Sequence, residues 1–118
     1  MAFLDLFGRG GTARRGDIDP EAMAHLTAWT RNHYGVEAFV EPRTTVSDVS
    51  VMLVAHDGEW TRRVVGERGA QRLSAALGIP VYDARRVGYP QRMRDYESRR
   101  RILERRAAEW ELSDDTRP

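Results

Sequence analysis

The stretch Val49-Ser50-Val51-Met52-Leu53-Val54-Ala55-His56-Asp57-Gly58-Glu59-Trp60-Thr61-Arg62-Arg63-Val64-Val65 decides the fold. Val49 to Ala55 is β-branched and almost continuously apolar, which marks the central and most buried strand of a sheet. Asp57-Gly58 is the residue pair that a tight hairpin demands. Trp60 to Val65 then returns as the antiparallel partner.

Upstream, Val36 to Glu41 sets Val36, Ala38 and Val40 against Glu37, Phe39 and Glu41, the period of a strand, and Pro42 stops it. Glu37 and Glu41 are about 13 Å apart at strand rise, too far to act as an acid/base pair, and with Phe39 they read as a solvated face. Before that strand, Asp19-Pro20-Glu21 is a helix start. Ala22, Met23, Leu26, Trp29, Thr30 and His33 share its inner face, and Gly35 ends it.

Downstream, Glu67 to Leu77 predicts a helix with Ala70, Leu73, Ala76 and Leu77 toward the sheet and Gly78 as its stop. Pro80 to Val87 predicts a fourth strand. After Gly88-Tyr89, Pro90 opens a long helix to about Leu112. The expected fold is α+β: a small single domain ordered helix, three-stranded antiparallel meander, helix, strand, with a long C-terminal helix. Residues 1–18 read as a flexible peptide and Gly/Arg linker, 19–88 as the core domain, 89–112 as an Arg-rich helix and 113–118 as a disordered tail.

A chain of 118 residues can bury one core without staples, and none is available because cysteine is absent. That absence also removes thiolate nucleophiles and Cys-ligated zinc. All 19 basic residues are Arg, a bias expected of a GC-rich bacterial genome. Residues 16–61 carry eight acids and two Arg, whereas 84–106 carry nine Arg and three acids. Such asymmetry makes either a basic binding surface or two halves that attract each other. The longest apolar run, Val49 to Ala55, is too short for a membrane span, and no secretory leader is visible, so the expected location is cytoplasmic.

Three histidines are scattered: His25 and His33 lie eight residues apart on one helix, and His56 falls in the hairpin turn. No nucleotide loop, zinc-protease helix or nucleophile elbow occurs, so neither a cofactor nor a catalytic residue is assigned. The two ends are more informative. Phe3, Leu4, Leu6 and Phe7 form an apolar peptide that can fold back on its own domain, swap onto a neighbour or dock in a partner's groove. In the final helix, Met93, Tyr96, Leu103, Ala107 and Trp110 form a narrow stripe interrupted by Arg100. It can dock on the parent domain or on another chain.

The expected function is accordingly a non-catalytic binding or adaptor protein, with a protein partner or a second copy held by Phe3, Leu4, Phe7, Tyr96, Leu103 and Trp110. The alternative is RNA or DNA binding through the row Arg94, Arg101 and Arg105, joined by Arg62, Arg63, Arg85 and Arg86. Against it, Glu97, Asp95 and Glu109 stand four residues from Arg101, Arg99 and Arg105 and are placed to neutralise them. An enzyme or ligand-binding domain with an unadvertised site is the third reading. Since no closed set of ligands is visible, chelation with EDTA is expected to leave the melting temperature unchanged. A fall of several degrees would expose a structural metal.

Overall fold

The computed structural model describes residues 19–115. Asp19, in extended conformation, caps helix α1 (Pro20–Arg31): its side chain accepts from the backbone N–H of Glu21 at 3.0 Å and of Ala22 at 3.2 Å. Strands β1 (Glu37–Glu41), β2 (Ser50–Val54) and β3 (Trp60–Val64) form the antiparallel meander, in register Phe39 opposite Met52 and Met52 opposite Arg62. Helix α2 (Gly66–Leu77) ends on left-handed Gly78 and leads to β4 (Val81–Asp83). This strand joins the free edge of β1 in parallel, giving the order β3-β2-β1-β4.

Helices α1 and α2 cover one face of the sheet. Leu26 and Leu73 pack there on Ala38, Val51, Leu53 and Val65. Every residue of β2 is buried, as its near-continuous apolar character predicts. Ala76 departs from expectation and faces solvent; the buried side of α2 is formed by Gly66, Gly69, Ala70 and Leu73.

The other face is not the solvated one expected around Phe39. Phe39, Met52 and Val54 are covered by Ala84, Tyr89 and Met93, with Trp60 at the side. Two further differences accompany this cover. The expected strand over Pro80 to Val87 stops at Asp83, whose carboxylate accepts from the Arg85 N–H at 2.9 Å and so caps a short helix, α3 (Ala84–Val87). An Asp N-cap there outweighs the β-branched ends of the segment. The final helix, α4 (Gln91–Asp115), runs three residues past its expected end at Leu112 and takes in Ser113, the first residue of the expected tail.

Helix α4 crosses the hairpin at Gly58, where φ is +93°. A Cβ at this position would lie 1.9 Å from the Arg92 carbonyl oxygen and 2.8 Å from Tyr96 Cβ. Glycine is therefore required twice over, for the turn and for the approach of the helix. Gly58→Ala is expected to cost at least about 2 kcal/mol, since left-handed strain alone is ~1–2 kcal/mol and the helix must also lift. Chemical denaturation measures this, and an unchanged stability would mean that α4 does not pass so close.

Candidate functional site

The first turns of α4 are tied to the hairpin by polar groups. Arg92 donates from Nε to the Ala55 carbonyl at 2.9 Å and from Nη2 to the Val54 carbonyl at 3.3 Å, and its Nη2 also meets Glu37 Oε1 at 2.6 Å. Trp60 Nε1 donates to Glu97 at 2.8 Å, and Arg99 reaches the Asp57 carbonyl at 3.2 Å. Tyr96, half-buried, lies beside Gly58 and thus packs on its own body.

From Ser98 to Ser113 every residue is exposed. The stripe that begins with Met93 and Tyr96 continues past the edge of the body as Leu103, Ala107 and Trp110, with Leu103 63% and Trp110 69% exposed. The helix thus divides one apolar seam into a docked half and a free half. Its flanks are ordered as well. Glu97, Glu104 and Glu111 recur every seventh residue on one side, and Arg92, Arg99 and Arg106 on the other. These are the e and g positions of a heptad whose a and d positions hold the stripe. Both flanking rows are legible in the sequence at that spacing.

The Arg row Arg94, Arg101 and Arg105 lies on the opposite side of α4 from the seam. Among the described residues the neutralising pairs expected along it do not close to ion-pair distance, although, behind the bond from Arg100, the Arg101 charge still helps to lower the Glu97 carboxyl. Glu97 pairs with Arg100 at 2.9 Å, Arg100 also meets Glu104 at 3.2 Å, and Asp95 accepts from Gln91. Among the described residues, Arg101 and Arg105 enter no ion pair. The remaining candidates fall into two separate pairs. Arg62 and Arg63 lie on β3 and Arg85 and Arg86 on α3 after β4, at opposite edges of the sheet and about 14 Å apart at ordinary strand spacing. Phe3, Leu4 and Phe7 lie outside the described residues.

The sheet face beneath Tyr89 holds a polar cluster. Glu41 accepts from Ser50 Oγ at 2.7 Å, from Arg62 Nε at 2.5 Å and from the Tyr89 hydroxyl. Burial pushes the Glu41 carboxyl up, but the bonds from Tyr89, Ser50 and Arg62 outweigh it and hold the group below its ordinary range. Burial and the adjacent carboxylate push Tyr89 up to about 12. Each member is satisfied by another, and through Tyr89 the cluster fastens the segment between α3 and α4 to the sheet.

The histidines do not converge. His25 Nε2 bonds Thr61 Oγ1 at 2.8 Å, and His33 stacks on Trp29 with ring centres 3.7 Å apart and lies 3.1 Å from Glu59. His56 meets Tyr34 edge-on. Among the described residues no three groups are placed to hold a metal. One concavity exists that sequence reading missed: an open groove of about 600 Å³ at the C-terminal ends of the parallel strands β1 and β4, walled by α2. No local signal marks it, because its walls come from three separate segments.

The Tyr89–Glu41 contact carries a pH signature at each end. With its folded pKa raised, Tyr89 contributes stability that is intact below pH 10 and is lost between pH 10 and about 12. With its folded pKa depressed, Glu41 contributes stability above its ordinary value near 4.5, lost as pH falls further. Tyr89→Phe is expected to flatten the alkaline limb and Glu41→Gln the acid limb, each costing about 1–3 kcal/mol at pH 7. Urea midpoints measured across pH test this, and limbs that keep their slope in the variants would contradict it.

Compared with family models, with characterised proteins and with solved structures, the chain matches none.

Proposed function

We propose that this protein is a non-catalytic binding module that presents the free half of α4 to a partner protein. The observation that supports the reading is the exposure of Leu103 and Trp110 on a seam whose first half is docked. The free half prolongs a helix nucleated by its docked turns, and its apolar side chains gain nothing in open solvent unless another surface covers them. A partner helix laid over residues 100–113 would bury Leu103, Ala107 and Trp110 and would meet acids on one flank and Arg106 on the other. The body occupies the seam up to about Arg99, so the partner engages about two heptads.

Because Leu103 and Trp110 are largely exposed, Leu103→Ala with Trp110→Ala is expected to change stability by less than about 0.5 kcal/mol. The same variant is expected to weaken association at least tenfold, read by sedimentation for a second copy and by affinity capture for another protein. If the double variant keeps every associated species of the parent, the reading fails.

A second reading, nucleic-acid binding, is supported by Arg101 and Arg105, whose guanidinium groups enter no ion pair among the described residues. Phosphate contacts would make affinity fall steeply with salt, by about 0.9 in log–log slope for each phosphate neutralised on duplex DNA. A flat salt series against RNA and DNA would dismiss it.

A further inference from the structure

We propose that the groove between α2 and the ends of β1 and β4 receives the apolar N-terminal segment Phe3-Leu4-Asp5-Leu6-Phe7 of the same chain. This is independent of the reading of α4, which lies on the other face of the sheet.

The groove has the chemistry of such a peptide. Val40, Val49 and Val81 line it with partly exposed aliphatic surface, and Ala70 of α2 closes one wall. Its volume of about 600 Å³ falls within the range of sites that enclose several apolar side chains. Charge sits at the rim. Arg43 is occupied by Asp48 at 3.1 Å, whereas the Arg85 guanidinium has no partner among the described residues. Glu67 and Asp83 also stand at the rim, and Arg85 is the rim cation left for Asp5, the one acid within the apolar segment.

The tether fits as well. Residues 8–18 join the segment to the cap of α1, and eleven residues span up to ~36 Å when extended and ~18 Å as a Gly-rich coil. The first turns of α1 lie against the same stretch of α2 that walls the groove. Met23 Sδ is 3.7 Å from a Cβ placed on Gly69, and Glu67 and Ala70 on either side of that glycine line the groove. The path from Asp19 to the groove is therefore one turn of α1 and one helix diameter, roughly 16 Å in all and within the reach of the linker. Over such a linker the segment faces the groove at an effective concentration of order millimolar, enough to hold even a weak ligand in place.

The test uses the full chain and its Phe3→Ser, Phe7→Ser double variant, compared by methyl and amide NMR. Val40, Ala70 and Val81 are expected to shift in the variant, by the same amount at every protein concentration, while Leu103 stays unmoved. A synthetic peptide of residues 1–8 added to the variant at millimolar concentration is expected to return those signals toward their parent positions. Arg85→Glu is expected to weaken that peptide about tenfold or more, and a peptide carrying Asp5→Arg to recover the loss. Superimposable groove signals in parent and variant would overturn the proposal. So would shifts that vanish on dilution, which would place the segment in a second copy, or a peptide effect confined to α4.

Discussion

Two carboxylates flank Phe39 on β1, and the second face of the sheet can be covered only if both are neutralised. Glu37 is met by Arg92, and Glu41 by Arg62, Ser50 and Tyr89. Both carboxylates are partly withdrawn from water, and leaving either without such partners would set its desolvation against the apolar contacts of Tyr89 and Met93. With the charges matched, α3 and the start of α4 close over Phe39 and Met52, and β2 becomes buried on both sides. The ion pairs here permit a hydrophobic contact more than they supply stability themselves.

The same matching explains what could and could not be read from the chain. Asp57-Gly58, Asp19-Pro20 and the period of β1 are local signals, and the meander and α1 follow from them. The covered face is not local: its bonds join residues 37 to 92 and 41 to 89, and an interface built partly of ion pairs leaves no apolar period to detect. The acids beside Phe39 imitate a wet surface for the same reason. The seam on α4 was legible as a stripe, but its division at about Arg99 was not, because the division lies where the body ends. Single residues show the limit too: Ala76 fits the apolar wheel of α2, yet only the placement of the sheet decides that it faces water.

The asymmetry of charge along the chain is used at one point of this arrangement. The acidic first half and the Arg-rich last part meet where Arg92 grips Glu37 and Arg99 reaches the Asp57 carbonyl. Among the described residues the arginines beyond the body pair with no acid of the sheet or of the helices before α4, and the free half of α4 carries flanks of Glu and Arg of its own.

A helix clamped at one end is a lever. Arg99, bonded to the Asp57 carbonyl, is the outermost point of the clamp and the fulcrum, and Trp110 stands some 16 Å beyond it at ordinary helical rise. A tilt of about 5° at the clamp swings Trp110 by roughly 1.4 Å over that arm. The relation works in both directions: a load on the tip is delivered to the hairpin and to the closed face behind it. Anything that fixes the direction of the rod therefore also stiffens the seating of α4 on the sheet, and loosening the seat broadens the arc through which the rod can search.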